Sequence, residues 1–165
     1  MGHSHCGRTT GWSLLALAGA YEIGFDDRYL KAMRTLADDA LAEQDPNCGG
    51  WLYSLPRGHC YCEKAKHTGM AGFITAVLIN GLSRYYLLTG DDRLPEALDR
   101  ATTFLDNDTW YERWRDWRYT SCPATRATGQ PGVVVMAHVN AVRIANNPEH
   151  LRVLKIGRAS CRERV

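Results

Sequence analysis

The feature that most constrains this chain is an alternation between helical segments with almost no charge and helical segments with one charged face. Apolar residues at helical spacing place a first segment on Leu14, Leu17, Ala18 and Tyr21, after candidate caps Thr9 and Thr10. A second starts after Asp26 and carries Leu30, Met33, Ala37, Ala40 and Leu41 on one face. A third spans about Met70 to Leu88, a fourth starts near Asp92, and a fifth runs from about Gly132 to Ala145. A sixth opens at Asn147-Pro148-Glu149, with Asn as cap and Pro in the first turn. The odd segments are almost uncharged, with Glu22 in the first, Arg84 in the third and Arg143 in the fifth. The even ones carry Lys31, Arg34, Asp38, Asp39 and Glu43, or Glu96, Asp99, Arg100 and Asp106. A helix that is apolar all round must be buried, and one with a charged face lies at the surface. The odd helices are therefore expected inside and the even ones outside.

The pattern repeats. Tyr21-x4-Asp26-Asp27-Arg28-x3-Ala32-Met33 matches Tyr86-x4-Asp91-Asp92-Arg93-x3-Ala97-Leu98 at an offset of 65 residues, and a weaker third copy begins at Asn146 to Leu151. Repeated helical hairpins bury their cores by stacking on their neighbours. The expectation is an all-α chain of about two and a half hairpins. Inner-to-outer turns are short, around Gly24-Phe25, Thr89-Gly90 and Asn146-Asn147. Outer-to-inner connections are long, about Asp45 to His67 and Asn107 to Pro131. Antiparallel hairpins then gather every long loop, and residues 1–10, at one end. Connections of this length are often functional.

The C-terminus is set apart from this pattern. Ile156 to Val165 reads IGRASCRERV, which resembles the translation of a short-read sequencing adapter. Residues 155–165 are read as a non-native tail and residues 1–154 as a fragment of one domain. The whole chain is formally +2. Within Ile156 to Val165, Arg158, Arg162 and Arg164 against Glu163 account for that +2 and leave the remainder neutral. No basic patch remains to suggest nucleic acid. No run approaches the roughly 20 apolar residues of a membrane span. Met1 to Trp12 is polar, rich in His and Gly, and unlike a signal peptide, which favours a cytoplasmic location. Outside the tail there are five cysteines, Cys6, Cys48, Cys60, Cys62 and Cys122, an odd number that argues against a full disulfide framework.

Those five cysteines all fall in the long loops or the first ten residues, with His3, His5, His59, His67, Trp51, Trp110, Trp114 and Trp117. Trp12 lies just inside the first helix. Inner-helix N-termini, whose unpaired N–H groups suit anions, converge at the same end. His59-Cys60-x-Cys62, with Cys6 nearby, offers N and S ligands that suit zinc, and equally reads as buried small side chains. Trp110, Trp114 and Trp117 are spaced for a packed helical stripe.

Three short segments carry a resemblance. Gly7-Arg8-Thr9-Thr10-Gly11-Trp12 is similar to the W-x-R-x-x-G-W segment of unsaturated glucuronyl and rhamnogalacturonyl hydrolases. Gly50-Trp51-Leu52-Tyr53 resembles their G-x-W-Y segment, and Thr68-Gly69-Met70-Ala71-Gly72-Phe73 their T-S-G-x-A-x-F helix start. The three occur in family order over roughly residues 7 to 80. With the alternating helices, the chain resembles the six-hairpin (α/α) toroid of glycoside hydrolases and polysaccharide lyases. Cys6 stands where the family has its first Trp, and His67 where it has an acidic residue. The loop Gly58-His59-Cys60-Tyr61-Cys62 is not part of the pattern, and the family's catalytic Asp would fall before residue 1.

The resemblance implies a partial (α/α) toroid from a hydrolase or lyase acting on uronic-acid-containing glycans, with part of the catalytic site elsewhere. Candidate proton-transfer residues are His5, His59, Tyr61 and Tyr119; candidate substrate-binding residues are Arg8, Trp12, Trp51, Arg118 and, again, Tyr119. Arg57 and Arg126 are further cations for a uronate. The candidate metal ligands are Cys6, His59, Cys60 and Cys62, with zinc as the ion. The alternative is a helical-repeat binding or scaffold domain whose loops hold a structural metal.

Overall fold

A computed structural model describes residues 6–152, with side chains from Gly7 onward. His5, the side chain of Cys6 and the tail at 155–165 lie outside the described residues. The chain is all-α in architecture: α1 (Cys6–Gly24), α2 (Asp27–Glu43), α3 (Gly72–Thr89), α4 (Leu94–Thr109) and α5 (Pro131–Ala145). A further helical turn begins at His150, after Asn147 Oδ1 accepts the N–H of Glu149 at 3.1 Å.

The layering follows from charge. α3 is buried along nearly its whole length and touches all four other helices. α1 and α5 lie on either side of it, and α2 and α4 lie behind, each presenting one apolar face. Met33, Ala37 and Ala40 of α2, and Leu94, Leu98, Ala101 and Leu105 of α4, enter the same core as Leu78, Ile79, Leu82 and Tyr85 of α3. The two flanking inner helices are covered on one face only: Trp12 and Ile23 on α1, and Val135 and Met136 on α5, are exposed.

The repeat has a structural counterpart in the turns. α1, α3 and α5 each end on a left-handed residue: Phe25 (φ 50°), Gly90 (φ 67°) and Asn146 (φ 55°). Each donates its N–H back four residues, to Tyr21, Tyr86 and Val142 respectively. Asp26 and Asp91 then open the outer helices by accepting the N–H of Arg28 and Arg93 two residues on. Glycine and asparagine suit such a cap, whereas a phenylalanine there is strained. Phe25 is also mostly exposed, so Phe25→Gly is expected to stabilise the chain by about 1 kcal/mol, read as a raised urea midpoint at unchanged slope.

Two local expectations are corrected. α1 begins at Cys6, so Thr9 and Thr10 lie inside its first turns and do not cap it. The tryptophans after α4 form no helical stripe. Trp110–Tyr111 (β3) pairs antiparallel with Asp116–Trp117 (β4), and Trp110 faces Trp117 edge-on at 5.0 Å. The first long loop carries a similar ribbon, in which Tyr53–Ser54 (β1) pairs with Thr68–Gly69 (β2). The long loops are thus partly structured. Among the described residues no helix is long and apolar enough to cross a membrane.

Candidate metal centre and adjoining proton-transfer site

The two long loops lie against each other at the end where α1, α3 and α5 begin. Loop 45–71 is closed on itself by β1–β2 and by Leu55, whose N–H reaches the carbonyl of His67 at 2.9 Å. Loop 110–130 lies across it. Ser121 N–H donates to the Met70 carbonyl at 2.9 Å, and Ser121 Oγ accepts the Met70 N–H at 2.7 Å. Thr120 Oγ1 donates to the His59 carbonyl at 2.6 Å, and Gly72 N–H to the Tyr119 carbonyl at 3.0 Å. Gly69 permits this approach, since a Cβ there would fall 2.3 Å from Ser121 Cβ.

The contact brings Cys60, Cys62 and His67 of the first loop to Cys122 of the second, with all four ligand atoms within 4.8 Å of one another. Cys60 and Cys122 are buried, while Cys62 and His67 are half-buried. Cys60 Sγ lies 3.3 Å from His67 Nδ1, which with neighbouring backbone N–H groups lowers its pKa to about 5. Burial pushes the Cys62 thiol up. This set differs from the ligands expected from the sequence. Cys60 and Cys62 belong to it, His67 stands in the place given to His59, and Cys122 contributes the last sulfur. His59 is not among the four, and its ring nitrogens meet Tyr53 and Tyr119 instead.

That ring is held between two phenols. Tyr53 Oη lies 2.7 Å from His59 Nδ1, and Tyr119 Oη lies 3.4 Å from His59 Nε2. Both tyrosine rings meet the imidazole edge-on, at 5.9 and 5.5 Å. Burial pushes the Tyr53 hydroxyl well above the usual phenol range, so it remains a neutral partner for Nδ1. Tyr119, a candidate for both substrate binding and proton transfer, lies beside His59. Its N–H pairs with the carbonyl of Arg126, whose side chain is exposed.

The other sequence candidates are dispersed. Tyr61 is exposed on the turn between the two cysteines. Arg8 is exposed near the start of α1, its guanidinium 5.9 Å from the Phe73 ring. Arg118 stacks over Tyr111 at 4.7 Å and is drawn toward the β3–β4 ribbon. Trp51 donates from Nε1 to the Ala40 carbonyl at 2.8 Å, so it secures the end of α2 while lining a cavity of about 300 Å³ with Asp39, Glu43 and Tyr53. Trp12 lines a separate groove of about 360 Å³ between α1, α3 and α5, with Asn80, Arg84, Asn140 and Arg143.

Sequence reasoning passed over three residues. His67 carried a signal, because it replaces an acidic residue of the resembled family. Tyr53 carried one as the last residue of the G-x-W-Y resemblance, and Cys122 carried none beyond its place in the second long loop. No family model, no curated protein and no solved structure matches this chain.

Proposed function

We propose that this chain is a segment of an (α/α) toroid enzyme that acts on uronic-acid-containing glycans, by elimination in preference to hydrolysis. The observation that carries this reading is His59 bracketed by Tyr53 and Tyr119 at the loop end. A lyase needs a base to remove the proton beside the sugar carboxylate, an acid for the departing oxygen, and a cation to neutralise the carboxylate. With the Tyr53 hydroxyl donating to Nδ1, the His59 proton resides on Nε2 and faces Tyr119 Oη. Tyr119, whose hydroxyl oxygen lies 3.4 Å from that nitrogen, is the base in this reading. The Tyr119 oxygen takes the proton from the carbon bearing the carboxylate, the bond to the leaving oxygen breaks as the double bond forms, and the same phenol returns the proton to that oxygen. Arg126, whose backbone is paired with that of Tyr119, would supply the cation for the uronate in this reading. A hydrolase would instead need paired carboxyl groups across the scissile bond.

The test uses the protein from the complete reading frame with polyuronates as substrates. Elimination gives the ultraviolet absorbance of an unsaturated uronate at each new chain end. Tyr119→Phe is expected to lower kcat by about 10²–10⁴-fold with little change in KM, and to leave the melting temperature within a few degrees. New reducing ends without that absorbance would make the enzyme a hydrolase. Binding without cleavage would favour the second reading, a helical-repeat binding or scaffold domain, for which the four-ligand cluster is the supporting observation.

A further inference from the structure

We infer that Cys60, Cys62, His67 and Cys122 bind one zinc ion in a closed structural centre that joins the two long loops. The measured separations are 3.3 Å from Cys60 Sγ to His67 Nδ1, 3.7 Å from Cys62 Sγ to the same nitrogen, and 3.9 Å between Cys62 Sγ and Cys122 Sγ. A tetrahedral zinc with Zn–S near 2.3 Å and Zn–N near 2.0 Å spaces its sulfurs about 3.8 Å apart and sulfur from nitrogen about 3.5 Å. Three of the six separations therefore match an S₃N tetrahedron, and all six lie within 4.8 Å. No pair approaches the roughly 2.05 Å of a disulfide, and Cys60, Cys62 and Cys122 are free thiols.

A second observation lies outside the cluster. Thr120 Oγ1 donates to the His59 carbonyl and Ser121 N–H to the Met70 carbonyl, so the loop that carries Cys122 is fastened against the loop that carries Cys60, Cys62 and His67. Partners of this kind orient ligands at metal sites. Three soft thiolates and one imidazole select zinc among abundant divalent ions, and hard cations such as calcium or magnesium are disfavoured. All four positions are filled by the protein, leaving none open for water or substrate. The centre is thus structural.

Its consequence for the fold is local. Leu55, Cys60 and Cys122, with Tyr53 and Cys62 packed beside them, form a small cluster apart from the main core. So small a core gives little hydrophobic stabilisation, and a metal that bridges residues 60 apart in sequence would supply the missing constraint. The ligands also flank the proton-transfer pair: His59 precedes Cys60, and Tyr119 lies three residues before Cys122. Zinc would therefore hold those two side chains in register. The inference stands whether or not the chain acts on glycans.

The experiment measures metal bound to the purified full chain. One zinc per chain is expected by elemental analysis. Cobalt exchanged for it should show intense visible bands of a tetrahedral site together with thiolate-to-metal charge transfer. Cys62→Ser and Cys122→Ser should lose the metal and both spectral features, while Cys48→Ser, outside the cluster, keeps them. Because the serine variants could unfold, two further readouts are needed. Cys122→His should retain zinc with weakened charge transfer. A strong chelator should lower the melting temperature of the unmutated chain by roughly 5–15 °C, reversibly on adding zinc. Zinc absent from the unmutated chain with no cobalt thiolate band would overturn the proposal. So would zinc retained undiminished in both serine variants, or a Cys62–Cys122 disulfide in the freshly purified chain.

Discussion

Gly11→Ala is expected to lower the stability of this chain by about 2–4 kcal/mol, an effect out of proportion to one methyl group. α1 and α3 cross at two glycines. A Cβ on Gly11 would lie 2.6 Å from the carbonyl oxygen of Val77 and 2.8 Å from the Leu78 Cα. A Cβ on Gly81 would lie 2.6 Å from the carbonyl oxygen of Gly11. Both neighbours are backbone within regular helices, so neither can turn aside. The helices must separate, and the separation is felt by Leu14, Leu78 and Leu82, all fully or almost fully buried around the crossing. Gly19→Ala is the control. It lies on the same helix with nothing within 4 Å of the added carbon, and should stabilise by about 0.5–1 kcal/mol through helix propensity alone. Urea unfolding of the two variants measures both. Equal midpoints would mean that α1 and α3 do not meet at these glycines.

A comparable loss is expected from Asp106→Ala. Asp106 Oδ1 accepts from Trp117 Nε1 at 2.9 Å and meets His138 Nε2 at 2.7 Å. His138 is fully buried, its other nitrogen 2.7 Å from the Val134 carbonyl. One carboxylate thus ties the end of α4 to the β3–β4 ribbon and to α5. Removing it strands a buried indole N–H and a buried imidazole nitrogen, at a cost of about 3–5 kcal/mol. Asp106→Asn keeps an acceptor oxygen and should cost less than half as much. Near-ultraviolet circular dichroism during unfolding would report the release of Trp117. A melting temperature unchanged in Asp106→Ala would show that the three elements hold together without this carboxylate.

Asp106 also marks where sequence reasoning stopped. With Asp99 it reads, in the sequence, as part of the charged, solvent-facing side of an outer helix. Both in fact face the following hairpin: Asp99 Oδ1 accepts from Asn147 Nδ2 at 2.7 Å and lies 2.9 Å from His150 Nε2. Their seven-residue spacing, two helical turns, places them on one face, but nothing in the sequence says what that face meets. The helices themselves were legible because α3 carries only Arg84 as a charged residue, and a segment of that kind has no stable place except inside. Two of the short turns were legible because the Tyr-x4-Asp repeat records the same left-handed cap twice, even where Phe25 is a poor residue for it, and Asn146 marks the third.

The loops were less legible for a physical reason. Helical spacing is a local property, whereas the partners of loop residues depend on how one loop lies over the other. His59 adjoins Cys60 in sequence, yet neighbouring side chains point apart, and it is His67, seven residues from Cys60, that returns to the sulfurs. Cys122 becomes a partner only because the Thr120 and Ser121 hydrogen bonds fix its loop against Met70 and His59. The spacing of Trp110, Trp114 and Trp117 fitted a helix equally well, but α4 ends at Thr109 and the chain reverses through Arg115 at φ 51°.

The meeting of these two loops in one four-ligand centre is tested most directly by X-ray absorption at the zinc edge of the purified chain. The predicted shell is three sulfurs near 2.3 Å and one nitrogen near 2.0 Å, with one sulfur lost in any Cys122→His variant that still holds the ion. A shell of nitrogen and oxygen alone, or one unchanged by Cys122→His, would contradict it.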